Sequence, residues 1–390
     1  MLTEEKKNKL IRDLINKQSN ISGKLMTKVA KEVRRVNESS LDNISRFNYP
    51  FREGQLEQEV KSNYDKEISA QMSIFFWLLA YNVYASTRSL YDYKNKKFIS
   101  IVDNSDVYDE VSKIEQNAVK QYDDMLKNTV ILTKSLKDNT LTPMRIDSAV
   151  KHLLNFAAEK KVYGKDFYKD VFPETERLLT SGIRVFNDKN DSNTRSLDSA
   201  LENILVYTTR DIENKVYEVV GTQVEADGIE LSAHQYPAPD HAPVQGRQFS
   251  NEEFAKMQNA QPFYDVKGNI YSGFERPIGA WNCRHIITPI VVGVTAPKYT
   301  EAELDRILTN NASGFITKNG LHKTLYECTQ MQRRYEYNIR DYKRRAEFYK
   351  NCGYKDREYL YSSKARQEEA IYRQFSKDCG IPIQKDRLEI

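Results

Sequence analysis

The breakers of regular structure are bunched in this chain. Nine of its 15 Gly lie between Gly221 and Gly320, and seven of its 11 Pro between Pro237 and Pro297. Gly and Pro punctuate helices and strands, so the sequence reads as a helical region, an irregular region and a second helical region. Expected domains are a helical 1–193, a 194–299 unit made of a spine helix and a loop-rich α+β part, and a helical hairpin over 300–390. The predicted fold class is mainly α with a small α+β middle domain.

Charge follows the same division. Residues 1–227 carry 35 basic and 35 acidic groups and residues 228–300 carry six of each, so the whole net charge of +4 sits in residues 301–390. That excludes a globally basic nucleic-acid coat. The apolar fraction is 39%, low for a compact globule, and 29% of residues are charged. This fits long helices with much solvated surface. The start, MLTEEKKNKLIRDL, has no apolar core of a signal peptide. The most apolar run, Ile74 to Ala80, falls well short of the about 20 residues that span a bilayer, so no membrane span is expected. Cys283, Cys328, Cys352 and Cys379 form no CxxC pair and read as reduced thiols of a protein made in a cytoplasm.

Apolar spacing of three to four predicts helices over 3–40 (with a break at Gly23), 65–93, 106–136, 143–162, 167–181 and 194–225. A short strand is expected at 98–102, and Pro143 suits a first helical turn. The 194–225 helix places Leu197, Leu201, Ile204, Leu205, Ile212, Val216 and Val219 on one face. Gly228–Leu231 and 286–294 read as strands, the second of edge type because of Pro289. Thr300 with Glu303 forms a capping box. From Leu325, the series Cys328, Gln332, Tyr335, Ile339, Tyr342, Ala346, Tyr349 keeps heptad spacing. A partner helix over 356–377 offers Ala365, Ile371, Tyr372 and Phe375, which completes an αα-hairpin.

Three of the five His fall in the irregular middle beside a Cys: His234-x6-His241, then Cys283-Arg284-His285. Zinc takes Cys and His in a tetrahedral shell, and residues two apart on an extended strand face one side. His234, His241, Cys283 and His285 are therefore the candidate metal ligands, and zinc the candidate cofactor. Hydrogen bonding to backbone within a loop-rich domain is the reading these residues favour over a metal. A Cys–His nucleophile would need a third group, and none is identifiable. Residues 331–377 hold 13 Lys/Arg against seven Asp/Glu, interleaved with Tyr. Arg333, Arg334, Lys343, Arg344 and Arg345 are the candidate nucleic-acid contacts; a solvated hairpin with snorkelling Arg is the competing reading. No P-loop, GxGxxG, HExxH or GxSxG motif is present.

The middle region also carries an ordered set of motifs: Ser232-Ala-His234, His241, Gln245-Gly246 followed by a basic residue and Phe249, then Trp281-Asn282-Cys283-Arg284-His285. This order resembles the minor capsid protein 2 family of tailed bacteriophages, akin to MuF-type head morphogenesis proteins. The motifs cover about 60 residues, and the similarity extends over 194–390, with nothing recognisable in 1–190. The chain departs from the family pattern at 235–240, which lacks an Arg, at Val244 in place of Trp, and at Ala280. Those departures favour a shared scaffold over a shared catalytic role. The resemblance implies a non-enzymatic virion protein that assembles in the host cytoplasm and resides at the capsid interior or portal vertex. Its partners would be the portal protein, the major capsid protein or both, with packaged dsDNA facing the basic hairpin. The alternative is a toxin-like or hydrolytic effector built on the His/Cys cluster.

Overall fold

The computed structural model describes all residues except 1, 41–49, 53, 135–140, 163–175, 177–181, 187–193, 259–262, 265–269, 272–276, 280–282 and 390. All of the predicted 167–181 helix but residue 176 lies outside the described residues, as do Trp281 and Asn282.

Helix α1 (Glu4–Glu38) starts at Thr3, whose hydroxyl accepts the Lys6 amide, with Glu4 and Glu5 in the first turn. It runs through Gly23 without a break. A mid-helix Gly costs about 1 kcal/mol relative to Ala. Here the ridge on both sides of it, Ile11, Leu14, Ile15, Leu25, Val29, Val33 and Val36, is buried and outweighs that cost. Helix α2 (Gln55–Ser86) begins ten residues earlier than its periodicity suggests and breaks at Thr87 before the short α3 (Arg88–Tyr93). Ile68, Met72, Phe75, Phe76, Leu79 and Ala80 of α2 are almost fully buried, and it packs on α1 and two later helices. The stretch Glu67–Tyr93 is long and apolar enough to cross a membrane by length and composition, but 44% of its apolar window is buried inside the protein. Counting only 74–80 missed the flanking apolar turns.

Two helix predictions ran too far. Helix α4 (Ser105–Lys127) stops well short of 136, because 129–134 forms strand β1. The run Thr129-Val-Ile-Leu-Thr is mostly β-branched and fits a pleated surface better than a helix. Strand β2 (Leu141–Arg145) pairs with it antiparallel, with Pro143 opposite Leu132, so Pro143 is a strand residue and α5 (Ile146–Val162) follows. β2 is an edge strand in the order β2-β1-β3-β4, which tolerates a missing amide. Here β3 is Arg184–Phe186 and β4 is Thr194–Ser196. The strand expected at 98–102 is irregular chain and turn.

The spine is α6 (Leu197–Gln223), capped by Ser196. Its predicted face is buried at Leu197, Leu201, Leu205, Ile212 and Val216 and partly buried at Ile204 and Val219. One continuous core joins α1, α2, α4, α5 and α6 to Phe348, Tyr349, Cys352 and Tyr361 near the far end of the chain.

The middle region is a three-stranded antiparallel sheet with β5 (Gly228–Leu231) between β6 (Gln248–Ser250) and β9 (Ile287–Ile290). Pro289 sits on the edge strand opposite Ile229, and 291–294 turns away rather than continuing as strand. Helix α7 (Asn251–Gln258) and the short strands β7 (Phe263–Tyr264) and β8 (Ile270–Tyr271) complete this part. The chain ends in α8 (Glu301–Ser313), the β10–β11 pair (Phe315–Ile316, His322–Lys323), α9 (Leu325–Asn351) and α10 (Lys355–Asp378). The capping box Thr300/Glu303 is formed, and Thr324/Glu327 makes a second.

Helices α9 and α10 form the hairpin, turned at Gly353 with φ +81°. The heptad series supplies the seam: Leu325, Cys328, Gln332, Ile339 and Tyr349 are buried. Its polar member Gln332 donates to Ser376 Oγ (2.9 Å) and the Pro382 carbonyl (2.8 Å). On α10, Ala365, Tyr372 and Phe375 face the seam, while Ile371 is exposed.

Candidate metal centre

Cys283 and His285 sit on the extended segment that enters β9. Four bonds fix that segment. Arg210 of α6 donates to the Cys283 carbonyl (3.1 Å), and Asn214 of α6 accepts the Ile287 amide (2.9 Å). Ser232, just past β5, donates its amide to the Ile286 carbonyl and accepts the Ile286 amide through Oγ (2.9 Å).

The His side is built by Gln245 and Gly246. The buried Gln245 side chain mimics a strand partner: its carbonyl oxygen accepts the His234 amide (2.8 Å) and its NH2 donates to the His234 carbonyl (3.3 Å). Gly246 has φ +70°, and a Cβ there would meet Leu304 at 2.4 Å, so only Gly fits the step. Phe249 packs in the same small core as Cys283. Ser232, Gln245, Gly246 and Phe249 are thus the frame that presents the His and Cys side chains.

His241, Cys283 and His285 converge, with one ligand-type atom from each within 4.8 Å of the others. All three are buried, at 1%, 2% and 3% exposure. Cys283 Sγ is 3.4 Å from His285 Nδ1. The His285 ring lies against those of His234 and His241, with centroids 4.6 and 5.3 Å apart. Asp240 accepts the His241 amide (3.1 Å), and its second oxygen is 3.5 Å from His241 Nε2. His234 stands at the edge of the trio. Its Nε2 is enclosed and has no hydrogen-bond partner among the described residues.

The electrostatics favour ligand protonation states. Burial would raise the Cys283 thiol, but hydrogen bonding from His241 and from backbone outweighs it, so its pKa lies below the ordinary thiol value. Burial, helped by the Arg284 charge, lowers the His234 pKa and keeps that imidazole neutral.

The cluster forms the floor of a cleft of about 550 Å³ whose walls include Arg12, Glu202, Arg284, Arg333 and Arg387. Arg284 and Arg333 both reach solvent, yet partial desolvation by the cleft walls, then repulsion from neighbouring arginines, lowers the pKa of each. Burial works to raise the Glu202 pKa, but Arg12, Arg387, Arg284 and Arg340 together hold it below the usual carboxylate value. Of these groups only Arg284 and Arg333 stood out in the sequence. Asp240 adjoins His241 and could have been noticed from that adjacency. Arg12 and Glu202 lie on helices distant in sequence, and no spacing rule reaches them.

The candidate nucleic-acid contacts divide in two. Arg333 and Arg334 are exposed on α9, Arg333 at the cleft. Lys343 donates to the Leu388 carbonyl (2.8 Å), Arg344 pairs with Asp198 (3.5 Å), and Arg345 bridges Glu176 (2.9 Å) and Asp341 (2.8 Å). That second group anchors the hairpin to the rest of the chain.

No curated protein and no solved structure matches this chain. A family model described as phage minor capsid protein 2 matches residues 7–377. The likeness expected over 194–390 is matched as far as residue 377 and also takes in the N-terminal helices, where no motif announced it. Nearly the whole chain is covered, and it belongs to the phage minor capsid protein 2 family.

Proposed function

We propose that the protein is a structural component of the phage head, seated at the portal vertex or the inner capsid face, with its basic hairpin toward packaged DNA. Family membership supports the virion role and contact with other phage structural proteins. The observation that carries the seating is a stripe on α2. Ile74, Leu78 and Tyr81, at spacings of four and three, are 68%, 44% and 46% exposed on a helix whose opposite side is the core. Apolar side chains in such a row are surface kept for a partner. Beside it lies a shallow groove lined by Leu10, Leu14 and Phe75. The portal protein or the major capsid protein is the occupant this reading assigns.

Mass spectrometry of purified particles tests it. Wild-type particles should contain the chain at low copy number relative to the major capsid protein. Particles from an Ile74→Asp/Leu78→Asp phage should lack it, although the purified variant keeps its helical circular dichroism. Absence from wild-type particles would overturn the virion role, and full incorporation of the variant would overturn the stripe.

A further inference from the structure

We propose that Cys283, His285, His241 and His234 bind one zinc ion, a structural centre that closes the floor of the arginine-lined cleft. The first support is geometric. Zn–S near 2.3 Å and Zn–N near 2.0–2.1 Å at a tetrahedral angle imply an S···N edge of about 3.5 Å. Cys283 Sγ and His285 Nδ1 are 3.4 Å apart. Two of the ligand atoms therefore already stand at the spacing of one edge of a zinc tetrahedron. An atom of His241 completes a triangle no wider than 4.8 Å.

The second support is the surrounding shell. A metal-bound imidazole usually gives its other ring nitrogen to a carboxylate, which fixes tautomer and orientation. Asp240 stands in that place, 3.5 Å from His241 Nε2, and is itself held by the His241 amide. The segment carrying Cys283 and His285 is tied to α6 and to Ser232 by the bonds given above, so these two ligands are held before any ion arrives.

The third support is His234. A buried polar atom without a hydrogen bond is costly, and Nε2 of His234 is such an atom among the described residues. Its ring is next to that of His285. His234 stands outside the converging trio, and it is assigned the fourth position through a turn of its ring. One thiolate and three neutral imidazoles suit zinc and are poor ligands for magnesium or calcium. Ligands from the 234–241 loop and from the segment entering β9 make the ion a clasp between two parts of the sheet. Binding releases the thiol proton to solvent and transfers no electrons.

The test uses the full chain, reduced and freed of any affinity tag. Elemental analysis after growth with zinc should give about one zinc per chain. After the zinc is stripped, cobalt alone should give the visible bands of a tetrahedral site and a thiolate-to-cobalt charge-transfer band. Cys283→Ser should abolish that charge-transfer band. His241→Ala should weaken zinc binding by more than the roughly 10–100-fold that loss of a group hydrogen-bonded to a ligand costs. His152→Ala and His322→Ala, at exposed histidines elsewhere, should change nothing. Helical circular dichroism checks that each variant is folded. Folded wild-type chain that takes up neither zinc nor cobalt overturns the proposal without reference to any variant. So does a Cys283→Ser chain that keeps both full metal content and the charge-transfer band.

Discussion

Single buried ionisable groups set how this protein answers to pH. Glu336 on α9 is 2% exposed. Burial raises its pKa above the carboxylate reference of 4.5, and the nearby Arg387 and Arg340, with the Tyr372 hydroxyl, only partly offset that. The folded state therefore holds this proton more tightly than the unfolded state. The stability so gained is fully present below pH 4.5 and is lost as pH rises through the raised folded value. Glu336→Gln keeps a group for Tyr372 to hydrogen-bond and removes the titration. Urea midpoints of variant and wild type should differ more in the variant's favour at about pH 8 than at about pH 4. A difference that does not change with pH would show that Glu336 does not titrate in this way. Cys352 and Cys379 behave as core thiols: burial pushes each up to about 12, so both stay protonated and inert at neutral pH.

At the scale of elements, the hairpin was the most legible part. Its heptad series specified a seam, and α9 and α10 bury that seam together. Ile371 failed because the apolar side of α10 was drawn one residue too wide; Tyr372, the next position, takes the core. Strand β1 was misread because a run of six residues, most of them β-branched, directly follows a true helix, and short apolar runs carry no decisive period. In the candidate metal centre, the four candidate ligands and their frame were visible as motifs, because they come from two short segments. The cleft walls were not, since Arg12, Glu202 and Arg333 meet only after the helices pack. The hairpin's candidate DNA contacts separate on the same ground. Arg333 and Arg334 stand apart from the pairs that hold Lys343, Arg344 and Arg345. Arg333→Gln/Arg334→Gln should lower the slope of log affinity for double-stranded DNA against log salt by about two, since each phosphate-binding charge contributes about 0.9. An unchanged slope would mean that these arginines serve the cleft and not DNA.

Across the whole molecule, distant segments are tied by buried polar pairs as well as by apolar packing. Lys7 of α1 lies 2.6 Å from Glu213 of the spine, with both side chains less than a tenth exposed. Burial opposes each charge. For Lys7 the attraction of Glu213, with that of the exposed Glu4, wins and its pKa is raised; for Glu213 burial wins over Lys7 and its pKa is also raised. The lysine is thus firmly charged, and its partner is the strained member. Removing the buried partner leaves Lys7 with only the exposed Glu4; a fully unpaired buried charge typically costs about 3–5 kcal/mol, an upper bound here, whereas replacing both buried groups with apolar ones is often close to neutral. Chemical denaturation should accordingly show Glu213→Ala strongly destabilised and Lys7→Met/Glu213→Leu near wild type. Equal losses in both would show that the pair itself is a net source of stability. The contact between the two ends of the chain has a temporal side. The Cys352 thiol reaches the Ala30 carbonyl, and Asn351 donates to Thr27, across more than 320 positions of sequence. At about 5–20 residues per second a ribosome needs tens of seconds to supply that second half. Until then α1 leaves the tunnel with part of its apolar ridge uncovered, so a message cut short before the hairpin would yield a chain marked for chaperones and proteases rather than a smaller working protein.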